Sequence, residues 1–300
     1  MDLPIEQIDG KEYVKHAYPA ERFCKEIGNP SLKRNRVFQL TNNKILKVYG
    51  SESRWFREVS SLNFLQSRDI NTPILCESYN HMGYNWVVIM TLPGITMAEW
   101  LNEDCINKGR ALHEMGLFHA KYHELCRVDY YGDWNSIMED ESYHLFIKRF
   151  HSKSFDSIRN NSIHDQSLFY KCFSLIDEYD TVFDYRGIFT LCHNDFDARN
   201  IIVDSNSGTI TGLIDYESSF FAQPLFDMTR MLLLDNLEAI GASAYLHGYE
   251  EYSGCEIDRS QLMYYLLLKG IDICSWSHDV APDYYHKAKR LLKIIANNYF

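Results

Sequence analysis

No CxxC pair occurs in this sequence. Its eight cysteines (Cys24, Cys76, Cys105, Cys126, Cys172, Cys192, Cys255, Cys274) fall at no metal-ligand spacing. In a chain of 300 residues they read as reduced core thiols, not as a disulfide framework, which points to the cytoplasm. No apolar run approaches the roughly 20 residues that span a bilayer. The N-terminal MDLPIEQIDGKEYVK lacks the basic-then-apolar layout of a secretion signal. Positive charge is also short: 30 Lys and Arg against 41 Asp and Glu give a net −11. That balance argues against a nucleic-acid partner, since phosphate backbones are bound by basic surface, and it suits cationic or amine-bearing small ligands. Internal repeats, low-complexity tracts and Gly/Ser linkers are missing as well. What remains, 46% apolar and 24% charged, is the composition of a globular protein with a sizeable core.

The order of elements is legible from periodicity. The run RVFQL–TNN–KILKVYG, Arg36 to Gly50, carries β-branched and aromatic residues on both sides of an Asn-rich turn and predicts a β-hairpin. Ser51-Glu52-Ser53 offers N-cap groups before the helical run RWFREVSSLNFLQS. Pro73 to Tyr79 and Tyr84 to Thr91 are two further strands about a turn at His81-Met82-Gly83. Leu92-Pro93-Gly94 then breaks the pattern, and helical spacing takes over. Leu112, Met115, His119, Tyr122 and Leu125 share one face of a helix from Asn107 to Cys126, and helical patterns recur at 142–150, 165–183, 224–251, 259–278 and 283–297. Only IIVDSNSGTITGLID interrupts them, a hairpin turning at Asn206-Ser207-Gly208. The expected fold is α+β in two lobes: a β-rich lobe over 1–92 and a mainly helical one over 93–300.

The stretch HNDFDARN, His193 to Asn200, concentrates the chemistry. Asn200 starts one strand of the following hairpin and Asp215 ends its partner, so a hairpin return sets the two side by side. One carboxylate and one amide, with other positions left to water and phosphate, suit Mg²⁺. Asp195, on the loop before them, is then placed to accept a proton, an arrangement matching the phosphoryl-transfer template. The plainer alternative is a polar loop beside a hairpin. The same template needs a strand lysine on the nucleotide phosphates, braced by a helix carboxylate. Lys47 lies within the apolar strand KILKVY. On a wheel of about 100° per residue Glu58 falls inside the arc of Trp55, Val59, Leu62 and Leu65. A core-facing carboxylate is costly unless it meets a cation, and Lys47 is the nearest in sequence.

HNDFDARNIIV, GLIDYE and QPLFDMTR together resemble the aminoglycoside phosphotransferase and choline kinase group, with its bilobal protein-kinase-like fold. EMGLFHAKYHEL is similar to the helix that precedes that group's catalytic loop. The resemblance runs from about Arg36 to the C-terminal helices. It implies an ATP- and Mg²⁺-dependent kinase, with GTP as a possible donor, acting on a hydroxyl of a small, cationic molecule such as an aminoglycoside antibiotic or an amino alcohol. Asp195 is then the catalytic base, Asn200 and Asp215 the Mg²⁺ ligands, and Lys47 with Glu58 the phosphate anchor. The segment Ile89-Met90-Thr91-Leu92 becomes the hinge at the adenine, with Met90 and Leu92 as contacts and Ile202 and Ile214 under the ring. Three departures stand out. Asn194 replaces the group's usual Gly, Tyr216-Glu217 follow Asp215 where many members have Phe-Gly or Trp-Glu, and SLKRNRVFQL has no glycine for a phosphate-covering cradle, leaving Arg34, Asn35 and Arg36 as side-chain donors.

Asp197 and Glu217 are the candidate carboxylates for an amine on the substrate, with solvated acids as the bland alternative. His193 is expected to brace its loop. His119 and His123, four apart with His113 nearby, are expected to be structural or surface histidines, since no third metal ligand is evident at a regular spacing. Asp227 suits either a helix N-terminus or support of the catalytic loop. Tyr264, Tyr265, Trp276, Tyr284 and Tyr285 read chiefly as core. A protein or sugar-adduct acceptor, or a catalytically silent nucleotide-binding regulator, are the competing functions.

Overall fold

The Asn-rich turn shows how directly sequence sets local structure here. In the computed structural model Asn42 and Asn43 take left-handed φ values of 58° and 57°, the pair that a two-residue type I′ hairpin requires and asparagine tolerates. They join β2 (Asn35–Leu40) to β3 (Lys44–Tyr49). The structure describes residues 23–27, 35–81, 84–103, 108–138, 141–161, 163–180, 185–234 and 239–298, so Arg34 and the turn at 82–83 lie outside it. The chain divides into two compact units, Met1–Trp100 with Ala198–Ser219, and Leu101–Asp197 with Phe220–Phe300.

In the first unit, β1 (Phe23–Ile27), β2, β3, β4 (Ile74–His81) and β5 (Tyr84–Met90) form an antiparallel sheet ordered β1-β2-β3-β5-β4. Phe38, Leu40, Leu46, Val48, Trp86 and Val88 fill one core cluster on it. Helix α1 (Glu52–Leu65) packs against β3, β4 and β5 and buries Glu58, Ser61, Leu62 and Leu65. Ser51 is its N-cap residue, but its hydroxyl pairs with that of Ser53 at 2.7 Å and makes no cap bond, unlike the expected capping. A second sheet is ordered β12-β11-β6, from β6 (Ile95–Thr96), β11 (Ile201–Val203) and β12 (Ile210–Leu213). Pairing of Ile202 with Thr96 and Val203 with Ile95 ties the 201–213 hairpin into this unit, although periodicity had grouped it with the helices.

The second unit holds a sheet of short strands ordered β7-β10-β13-β8-β9: β7 (Arg127–Val128), β8 (Tyr131–Asp133), β9 (Ser136–Met138), β10 (Phe189–Cys192) and β13 (Phe220–Ala222). Strands of two to four residues are too brief to show alternation, and β10 and β13 are buried throughout, so sequence pattern misses most of them. Helix α2 (Met97–Glu103) leads in, and α3 (Lys108–Leu125), α4 (Tyr143–Phe150) and α6 (Gln166–Asp180) follow the expected pattern. So do α9 (Arg259–Val280) and α10 (Pro282–Asn298). Helix α5 (Ser152–Asn160) is an addition; it buries only Phe155 and Ile158, too thin a stripe to read. The pattern at 224–251 resolves into α7 (Pro224–Leu234) and α8 (Ala239–Ser253). The result is mixed α+β, as expected. No helix among the described residues is long and apolar enough to cross a membrane.

Gly94 has φ +126°, and a Cβ there would lie 2.2 Å from the Val203 carbonyl oxygen. Gly94→Ala is therefore expected to cost about 2 kcal/mol or more in urea unfolding, because both the backbone and the β6–β11 approach are strained. A loss below about 0.5 kcal/mol, the range of ordinary surface changes, would remove this constraint.

Candidate functional site

In the first unit the chemistry gathers on one ammonium. Val37 and Val87 flank Lys47 in the sheet register, so its side chain leaves the face opposite Leu46 and Val48. Lys47 Nζ lies 2.6 Å from Glu58 Oε2, 2.5 Å from Asp215 Oδ1 and 2.8 Å from Glu217 Oε2. Tyr49 donates its hydroxyl to the same Glu58 oxygen at 2.7 Å. Glu217 also receives Arg54 Nη1 at 2.8 Å and the Asn35 side-chain amide. Burial opposes the charge on Lys47, but Asp215, Glu217 and Glu58 outweigh it and hold the ammonium well above its ordinary pKa. Burial raises the Glu58 carboxyl, with Lys47 pulling the other way.

The hairpin closes as register demands. Ile201 pairs with Leu213, and the Ile214 N–H donates to the Asn200 carbonyl at 2.9 Å, which brings Asn200 beside the start of 214–217. Asp215 itself has a left-handed φ of 72°, a conformation rare for a non-glycine residue and concentrated at functional positions. Glu58, Asp215 and Glu217 offer carboxylate oxygens all within 4.8 Å of one another. Three carboxylates against Lys47 and Arg54 leave a formal excess of negative charge, which fits a divalent cation. Of the expected adenine contacts, Met90 ends β5 and is 39% exposed, and Ile202 is buried in β11. Leu92 meets the hairpin at Gly212, and Ile214 is half-buried. Asn35 and Arg36, suggested as phosphate donors, are engaged: Asn35 with Glu217, and Arg36 with Glu26 through two contacts of 2.8 Å.

In the second unit the loop 193–197 is shaped by Asp227. Its fully buried carboxylate accepts the backbone N–H groups of His193 at 2.6 Å and Asn194 at 2.5 Å. His119 Nε2 and His123 Nε2 stand 3.1 and 3.2 Å from its Oδ2. The Nδ1 atoms of the two rings meet the hydroxyls of Tyr245 at 2.5 Å and Tyr249 at 2.8 Å. One proton arrangement satisfies every group: each tyrosine donates to Nδ1 and each Nε2–H donates to Asp227. Burial first, and His123 second, push His119 down to about 3, so it is neutral. Burial alone would raise the Asp227 carboxyl, but the histidine hydrogen bonds hold it well below the carboxylate range. Phe196 stacks on His119 at 3.6 Å, and His193 Nδ1 accepts the Asp195 N–H at 3.3 Å, the bracing expected of it.

Two residues of this loop region were not singled out from sequence. Arg230 Nε is 2.7 Å from Asp195 Oδ1 and 3.6 Å from Asp197 Oδ2, with its guanidinium 5.1 Å above the Tyr284 ring. It stands one turn after Asp227, a signal visible in FDMTR. Lys269, from the middle of α9, donates to the Asn194 side-chain oxygen at 2.6 Å. Its signal is a single cation inside the run YYLLLKGI. Burial lowers its pKa, against the pull of Asp272. Asn194 has φ 61°, the conformation that explains glycine at this position in the resembled group. Of the expected core aromatics, Tyr264, Tyr265 and Tyr285 are buried, whereas Trp276 and Tyr284 are half-buried.

Lys269→Met removes the anchor from Asn194 and is expected to lower stability by about 1–3 kcal/mol. Adding Asn194→Gly, which accepts the left-handed φ without an anchor, should recover most of that loss; additive effects in urea unfolding would show the pair uncoupled. His119 makes the fold acid-labile. Its folded pKa lies below its unfolded value of 6.5, so its contribution is complete above pH 6.5 and declines as pH falls toward about 3. The expected slope is at most about 1.4 kcal/mol per pH unit, and urea midpoints that stay flat from pH 6.5 to 5 would contradict it.

The phosphotransferase enzyme family, APH, matches this sequence over residues 28–265. No curated protein matches it. Among solved structures, the apo form of a thermostable mutant of aminoglycoside phosphotransferase APH(4)-Ia superposes with a TM-score of 0.75 at 14% identity, covering 96% of this chain and 98% of that one. A ternary complex of the same enzyme with ADP and hygromycin B gives 0.74 at 13% identity, covering 97% and 98%. The GDP complex of a mutant aminoglycoside 2′-phosphotransferase-IIIa gives 0.67 at 15%, covering 97% and 99%. The fold is thus that of the aminoglycoside phosphotransferases, and since the family match spans most of the chain, this protein belongs to the phosphotransferase enzyme family.

Proposed function

We propose that the protein transfers the γ-phosphoryl group of ATP, with Mg²⁺, to a hydroxyl of a small amine-bearing molecule of the aminoglycoside or amino-alcohol class. The observation that carries this is the Lys47 ammonium held among Glu58, Asp215 and Glu217, a cation kept charged in a buried site where phosphates need one. Lys47, steadied by Glu58 and Tyr49, positions the donor phosphates. Asn200 and Asp215 would hold Mg²⁺, which supplies neutralisation of charge on the transferred group. Met90, Leu92, Ile202 and Ile214 provide apolar contacts for the base; the GDP complex of one structural neighbour keeps GTP as a second donor. Asp195 orients the acceptor hydroxyl and takes its proton, and Arg230 keeps that carboxylate aimed. An amine on the acceptor competes with Arg230 for Asp195 and Asp197, which is where acceptor charge enters. Glu217, already engaged by Lys47, Arg54 and Asn35, belongs to the donor end. The scattered cysteines and acidic balance support a cytoplasmic setting.

The test is incubation with ATP or GTP, Mg²⁺ and a panel of aminoglycosides, choline and ethanolamine, with products identified by mass. One panel member should gain a phosphoryl group. Asp195→Asn and Asp215→Asn should each reduce kcat by about 10² or more, while Lys47→Ala should raise KM for the nucleotide as well. Unchanged turnover by Asp195→Asn would remove its assigned role. Nucleotide-dependent thermal stabilisation with no product would favour a silent nucleotide-binding protein, and label only on added protein would favour a protein acceptor.

A further inference from the structure

A second cluster of ligating side chains lies on the surface of the second unit, where α3 packs along α8. The two backbones touch there. A Cβ on Gly116 would come 2.1 Å from the Tyr245 carbonyl oxygen, and one on Gly248 would come 2.1 Å from that of His113. Neither helix can slide or separate without losing this contact, so the side chains about it are held in register. His113 on α3 faces His247 and Glu251, which stand four residues apart on one face of α8. His113 Nε2 is 3.0 Å from Glu251 Oε2, and His247 Nε2 is 4.0 Å from the same oxygen. One ligand atom from each residue lies within 4.8 Å of the other two. Zinc bonds of about 2.0–2.2 Å in a tetrahedron place ligand atoms roughly 3.3–3.5 Å apart, a spacing that the two measured distances bracket. The side chains are 27%, 71% and 55% exposed for His113, His247 and Glu251, open enough for an ion to enter and keep a water ligand.

We propose that His113, His247 and Glu251 form a transition-metal site of the zinc class that clips α3 to α8. Two imidazoles and one carboxylate select zinc, copper or nickel over Mg²⁺, which favours oxygen. The site therefore differs in chemistry from the carboxylates about Lys47, and its residues belong to the other unit. Its consequence is mechanical. The inner faces of the same helices carry His119 and His123 on one side and Tyr245 and Tyr249 on the other, the frame that holds Asp227. A bound ion stiffens that frame from outside.

The experiment is titration of the full chain with zinc chloride by calorimetry, alongside thermal unfolding. The expected result is one saturable ion per chain and an unfolding temperature raised by about 2–5 °C when zinc is near 100-fold above Kd. His247→Ala, at the most exposed of the three positions, should fold with an unchanged metal-free unfolding temperature and bind zinc at least tenfold more weakly. Glu251→Gln should weaken binding similarly. No saturable binding would overturn the proposal. So would equal affinity in both variants, which would move the ion to thiols such as Cys76 or Cys255, both exposed.

Discussion

The buried carboxylate of Asp227 is the point on which the second unit depends. A carboxylate removed from water costs several kcal/mol unless its lone pairs are met, and here two backbone N–H groups and two imidazoles meet them. Because both imidazoles must present N–H to it, each needs a donor on its other nitrogen, and Tyr245 and Tyr249 supply those from α8. One charge thus fixes two histidine tautomers, the pairing of α3 with α8, and the backbone of His193 and Asn194. The conformation of the loop that bears Asp195 is a consequence of that demand.

The first unit solves a different electrostatic problem. Three carboxylates share one buried ammonium, with Arg54 on Glu217 Oε1 and Asn35 donating to the Glu217 Oε2 that also meets Lys47. This set balances only in part and leaves a formal excess of negative charge. In the loop of the second unit the relation is reversed, since one guanidinium, that of Arg230, sits between two carboxylates. Both units therefore hold their buried and half-buried carboxylates in preformed ion pairs.

Much of this was legible in one dimension. The Asn-Asn turn, the strand bearing Lys47, the inward placement of Glu58 and the return of the 201–213 hairpin follow from residue type and periodicity. All of them join residues a few turns apart. The small sheet of the second unit was not legible, because strands of two to four buried residues carry no alternation. Helix α5 was missed because two apolar residues make no stripe.

By itself the sequence determined the α+β order of elements, the residue types about HNDFDARN and the pairing of Lys47 with Glu58, eleven positions apart. Only the tertiary structure decided which other groups those residues meet. Asp215 reaches Lys47 across 168 positions, Lys269 reaches Asn194 across 75, and Asp227 collects donors from residues up to 108 positions away. No local period encodes such separations. They are set by how buried charges find partners once the helices and sheets are packed, and that is why Asp197 and Glu217, open acids in the sequence, are paired ones in the fold.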